Sequence, residues 1–132
     1  MHKKTRILLA DDHALVRKGF QMILAAESDM EVVGEAANGR DAVEFAARLR
    51  PDVVVMDVAM PELSGIEATR RLMEANPRIR VLALSMHKDS AYVREILRAG
   101  AKGYLLKDAF DRDLVAAVRA VANGEGYLSP GV

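Results

Sequence analysis

The chain has no cysteine and no tryptophan, only three phenylalanines and three tyrosines, four prolines, and no excess of either charge. Without thiols there is no disulfide, no thiolate zinc site and no cysteine nucleophile, which suits a reducing compartment and makes the cytoplasm the expected location. Nineteen lysines and arginines balance nineteen aspartates and glutamates, so no broad positive field attracts a phosphate backbone. DNA contact would need a part not present in these residues. Long apolar runs are missing too. The run Ile7 to Ala10 is broken by Asp11 and Asp12 and is too short for a signal peptide. Nothing approaches the ~18 apolar residues of a membrane span, so no membrane partner is expected.

What is present suits one globular domain: 132 residues, 51% hydrophobic and 29% charged. Short apolar runs of strand length recur at Ile7 to Ala10, Met30 to Val33, Val53 to Met56, Ile79 to Leu84 and Gly103 to Leu106. Between them the period becomes helical. Leu15, Val16, Phe20, Ile23 and Leu24 share one face, as do Ile66, Thr69, Leu72 and Met73, then Val93, Ile96 and Leu97, then Leu114, Val115, Val118 and Val121. Asp41 to Leu49 is a weaker, alanine-rich helix, and Ser64 and Asp111 are expected N-caps. Five strands alternating with five helices predict an α/β fold. Strands apolar throughout are covered on both faces, which gives a doubly wound parallel sheet.

In such a sheet ligands bind beyond the carboxyl ends of the strands. Those ends carry Asp11 and Asp12, then Asp57, then Ser85, then Lys107. A lone Asp at a strand end is more often a solvated turn residue, but burial without partners costs several kcal/mol, and here polar residues end four strands. Three carboxylates brought together repel one another unless a cation neutralises them. Oxygen ligands without His or Cys select a hard divalent ion, Mg²⁺ or Mn²⁺, which accepts a phosphate. Lys107 and Ser85 can then hold the phosphoryl oxygens, and an aspartate is a competent nucleophile.

The pieces "ILLADDHALVRKGF", "VVVMDVAMPELSG", "VLALS" and "GAKGYLLKD", taken together, resemble the receiver domain of two-component response regulators, over nearly the whole chain. "DDHALVRKGF" and "GYLLKD" are most similar to the NarL/FixJ (LuxR-type) class. The resemblance implies a flavodoxin-like (βα)5 fold with strand order 2-1-3-4-5. It implies that Asp57 accepts a phosphoryl group from a histidine kinase, that Asp12 ligates Mg²⁺ with Asp11 acting largely through water, and that Asp57 and the carbonyl of Ala59 complete the protein ligands. Lys107 would hold the phosphate, and Ser85 and Tyr104 would form the switch pair. Pro61 and Gly65 would shape the loop after the nucleophile. Residues 1–122 would be the receiver, and 123–132 the start of a linker to an absent helix-turn-helix domain through which the regulator contacts DNA.

Partners implied are a sensor histidine kinase and, on phosphorylation, a second copy of the chain. The first helix, the last helix, and the face formed by the last two helices are all open as interfaces. No enzyme activity is expected beyond Mg²⁺-dependent self-phosphorylation and autodephosphorylation at Asp57.

Other readings stand beside this one. A stand-alone regulator acting by protein contact needs no output domain. A phosphohydrolase would need a second acid two residues after Asp57, where Ala59 stands. A cofactor-binding domain would need a Gly-rich loop after the first strand, and none is there. Ala59 leaves the mouth of the site open to water, and His87 is the other residue expected to tune phosphoryl lifetime. His13 is read as a surface residue near the site, and Arg78, Arg80, Lys88, Arg94 and Arg98 as a solvated face. Asp108 stands where many receivers have a proline after a cis bond; a non-proline cis bond costs ~3 kcal/mol, so that peptide geometry is open.

Overall fold

The computed structural model describes residues 3–86, 90–130 and 132. Strands and helices alternate: β1 (Thr5–Ala10), α1 (Ala14–Ala25), β2 (Met30–Ala36), α2 (Gly39–Leu49), β3 (Val53–Asp57), α3 (Gly65–Ala75), β4 (Arg80–Ser85), α4 (Ser90–Ala99), β5 (Gly103–Leu106), α5 (Phe110–Ala122) and β6 (Tyr127–Leu128). The sheet order is β2-β1-β3-β4-β5-β6, and every pairing is parallel. The expected order of the first five strands is therefore present, and a sixth lies in the stretch expected to begin a linker.

Successive side chains of a strand point to opposite faces, and this divides the core in two. Leu8, Val54, Met56, Val81, Ala83 and Tyr104 face α2, α3 and α4 through Ala42, Ala46, Ala68, Leu72 and Ile96. Ile7, Leu9, Val53, Val55, Leu82, Leu84 and Leu105 face α1 and α5 through Phe20, Leu24, Leu114, Val118 and Val121. Phe20 and Phe110 meet edge to face, 4.9 Å between ring centres, and join α1 to α5. β3 is buried along its whole length, which explains its uninterrupted apolar run.

Helix starts follow local chemistry. Ser64 caps α3, accepting from the amide of Glu67 at 3.2 Å, and Asn38 caps α2, accepting from Asp41 at 2.8 Å. The expected cap at Asp111 is not found. A 3-10 turn over Lys107–Ala109 runs directly into α5, whose N-cap is Ala109, so Asp111 lies in the first turn, where its charge still suits the helix dipole. Leu15 also departs from expectation: it is 84% exposed instead of packed, because α1 turns Phe20 and Leu24 inward. Among the described residues no peptide bond is cis, the Lys107–Asp108 bond included, and no helix is long and apolar enough to cross a membrane.

Candidate functional site

Asp57 is the last residue of β3, and its carboxylate is carried to the sheet edge by four buried apolar residues. Directly after it the chain must turn sharply. The amide of Ala59 reaches back to Asp57 Oδ1 at 3.2 Å, and Gly65 N–H donates to the carbonyl of Val58 at 2.9 Å. A β-carbon at position 65 would collide with the carbonyl oxygen of Asp57, so glycine is what lets α3 start against the site. Glu62 occupies the left-handed region at φ 67° in the same loop.

β1 delivers the other carboxylates. Asp11 is 1% exposed, and Asp12 lies at the rim. Arg17 Nη1 donates to the Asp11 carbonyl at 2.6 Å and pairs with Glu35 at 3.0 Å, which anchors the β1 end to β2. Lys107 crosses from the end of β5 and places Nζ 2.9 Å from Asp57 Oδ2 and 3.0 Å from Asp11 Oδ2. The contact with Asp57 is a hydrogen bond. The contact with Asp11 is close enough for charge attraction, but its angle leaves Asp11 Oδ2 without a hydrogen bond although it is buried.

Desolvation raises the pKa of Asp57; the hydrogen bond from Lys107 opposes this, and the charge of Asp11 adds to it. For Lys107 burial works against the ammonium, yet the hydrogen bond to Asp57 and the negative charges of Asp57 and Asp11 outweigh it, so its pKa is raised. The cluster remains short of positive charge. Three carboxylates, Asp11, Asp12 and Asp57, against one ammonium leave two surplus negative charges. Ligand atoms of Asp11, Asp12, His13 and Asp57 all lie within 4.8 Å of one another. An oxygen-rich donor set with two uncompensated charges and an unbonded buried oxygen fits a hard divalent cation.

Ser85, at the end of β4, is buried and shares with Asp57 and Lys107 the wall of a cavity of about 420 Å³. Ala59 also lines it. Tyr104, one strand over, is fully buried and packs with the cluster on the α2–α4 side. The fold thus brings Asp11, Asp12, Asp57, Ser85 and Lys107 to one end of the sheet, with Tyr104 inward beside them. His87 and Lys88 lie outside the described residues. His13 is 63% exposed at its side chain, a surface residue beside the site, with Nδ1 3.2 Å from both Asp11 Oδ1 and Asp12 Oδ1. Tyr92 and Glu95 also line the cavity and went unnoticed in the sequence. Their spacing of three residues on α4 puts them on one helix face, the only signal that could have found them.

An open parallel sheet with an acidic cluster and a lysine at its carboxyl edge defines a signalling receiver. The chain belongs to the family described as response regulator receiver domain, which matches residues 7–119. It is 45% identical over 129 residues to the transcriptional regulatory protein DegU of Brevibacillus brevis, covering 98% of this chain and 55% of that protein. It is 47% identical over 126 residues to the oxygen regulatory protein NreC of Staphylococcus carnosus, covering 95% of this chain and 58% of that protein. The chain therefore spans a little over half the length of the curated relatives it matches.

Among solved structures, a LuxR-family two-component response regulator from Aurantimonas sp. SI85-9A1 is similar with TM-score 0.92 and 37% identity, over 97% of this chain and 91% of that one. The signal receiver domain of the putative response regulator NarL from Mycobacterium tuberculosis gives TM-score 0.90 and 36% identity, over 93% and 99%. The chain is thus a receiver of the NarL/LuxR type, a signalling domain of a two-component system. Receivers generally bind Mg²⁺ at an acidic pocket, and this structure has a cluster of Asp11, Asp12 and Asp57 that could hold a metal ion.

Proposed function

We propose that this receiver is switched by phosphorylation of Asp57 from a histidine kinase. The observation that carries the reading is the pair of contacts from one ammonium, Lys107, to two buried carboxylates at the end of the sheet. Asp11, Asp12 and Asp57, with the carbonyl of Ala59, would hold Mg²⁺ (or Mn²⁺), and the ion would neutralise charge on an entering phosphoryl group. Within the chain, Asp57 Oδ attacks phosphorus and the donor leaves with its electron pair. Lys107 then exchanges a carboxylate for a phosphoryl oxygen, and the Ser85 hydroxyl donates to another.

The new group brings nearly two negative charges and favours the state in which Ser85 and Lys107 converge and Tyr104 stays inward. The face carrying that change is α4, β5 and α5, which offers itself for pairing with a second copy. By analogy with the named transcriptional regulators, residues 1–122 form the phosphoacceptor unit, and 123–132 lead toward a helix-turn-helix domain that contacts DNA. The cytoplasm is the proposed location, since that output needs access to DNA.

The test is intact mass after incubation with Mg²⁺ and acetyl phosphate. Wild type is expected to gain one phosphoryl group, and Asp57→Asn, or wild type without the metal, none. Equal gain in Asp57→Asn would sink the assignment of the acceptor.

A further inference from the structure

Residues 127–129 are bonded to the strand that carries Tyr104 and leads into Lys107. β5 has only four residues, and its inner edge pairs with β4. Its outer edge would face water as an open sheet edge, but residues 127–129 cover it. Tyr127 N–H donates to the Lys102 carbonyl at 3.3 Å and Ser129 N–H to the Tyr104 carbonyl at 2.9 Å. Gly103 is closely surrounded: a β-carbon there would lie 2.9 Å from Leu82 Cδ1, 3.0 Å from Val121 Cγ1 and 3.2 Å from the Tyr127 carbonyl oxygen.

The third bond is of another kind. Ser129 Oγ, on a side chain 2% exposed, accepts from the amide of Leu106 at 2.8 Å. Leu106 is the residue where the strand becomes the 3-10 turn that begins at Lys107. Its N–H is therefore the last anchor before the lysine side chain departs toward Asp57 and Asp11, at 2.9 and 3.0 Å. Val132 packs against the core cluster that contains Tyr104, holding the same segment from its far side.

We propose that Ser129 is a positioning residue for Lys107: through Leu106 N–H it fixes the end of β5 so that the ammonium reaches both carboxylates. This rests on the reading of Asp57 as acceptor. Because coupling between two equilibria is reciprocal, the docking of 127–129 and the engagement of Lys107 favour one another, which ties the chain leaving the domain to the state of the site. A buried amide left without its acceptor is costly, so the loss of one hydroxyl is enough to loosen the pivot.

The test compares wild type, Ser129→Ala and Ser129→Thr by amide hydrogen exchange and by the initial rate of phosphoryl uptake from acetyl phosphate with Mg²⁺. Ser129→Ala is expected to speed exchange at Leu106 and Lys107 about tenfold while amides of β1 and β3 keep their rates. It is also expected to slow uptake roughly threefold or more, through misplacement of the lysine. Ser129→Thr, which keeps the hydroxyl, should restore both readings. Unchanged exchange at Leu106 would overturn the proposal. Faster exchange with uptake equal to wild type would overturn it too, while leaving Asp57 as the acceptor. Absence of uptake in wild type as well would remove the acceptor reading, and this inference with it.

Discussion

The two ends of the sheet are built on opposite electrostatic terms. At the amino ends of the strands, charges are satisfied and outward. Asp52 accepts from the Arg6 amide at 2.8 Å, Arg6 Nη1 donates to the Arg50 carbonyl at 2.7 Å, and Arg119 binds Asp29 and Glu27 at 3.0 and 2.8 Å. At the carboxyl ends, Asp11 and Asp57 are buried together with one lysine between them. The first end staples α5 to the loop before β2; the second holds two carboxylates that folding alone would keep apart. Charge placed for stability goes where water can share its cost, whereas on the function proposed above charge placed for chemistry is withheld from water until a cation and an anion arrive.

This contrast can be broken most severely at Lys107. With Lys107→Ala the phosphoryl oxygens lose their ammonium, and uptake from acetyl phosphate should fall by roughly 100-fold, measured by time-resolved intact mass. A variant taking up the group at the wild-type rate would remove the lysine from the account. Next in size is Gly65→Ala. The added carbon meets the Asp57 carbonyl, so α3 must shift and about 2–3 kcal/mol of stability should be lost in urea unfolding. An alanine variant as stable as wild type would mean that the loop has room the structure does not display.

A pH series sharpens the comparison. Asp57 has its pKa raised above the model-peptide value of 3.8, so the folded chain holds its proton more tightly than the unfolded one. That contribution to stability is full below 3.8 and is lost as pH rises through the raised value. Asp57→Asn should therefore match wild type in acid and be the more stable of the two at neutral pH. A gap that does not depend on pH would show that the carboxylate's charge is not what costs stability.

At the other end the smallest effect is expected. Asp29 has its pKa lowered, chiefly by the hydrogen bond from Arg119, so the pair's contribution is present above 3.8 and is lost as pH falls through the lowered value. Arg119→Ala should lower the melting temperature only slightly at neutral pH. The change should shrink further in acid and in high salt, which screens exposed pairs.

Much of this was legible in the sequence because burial and chemistry coincide. β1, β3, β4 and β5 are covered on both faces, so they read as continuous apolar runs, and each run ends in the polar residue that the fold then collects. β2 was read short, ending at Val33 instead of Ala36, because an edge strand is partly exposed and Gly34 and Glu35 break its apolar run. β6 has two residues and is held mainly by main-chain bonds and the Ser129 hydroxyl, for which side-chain periodicity carries no signal. The start of α5 depended on the 3-10 turn at Lys107, and propensity favoured a residue two positions too late, Asp111 instead of Ala109. Arg17 as the clamp on the Asp11 carbonyl was invisible because it depends on how α1 leans toward β2.

The most direct measurement is urea unfolding of wild type and Asp57→Asn in metal-free buffer and again with Mg²⁺ at several times its dissociation constant. Metal-free Asp57→Asn should be the more stable of the two, and Mg²⁺ should stabilise wild type by about 1 kcal/mol while leaving the variant less affected. Wild type more stable than the variant without metal, or indifferent to Mg²⁺, would contradict the claim that this end of the sheet holds surplus negative charge in wait for a cation.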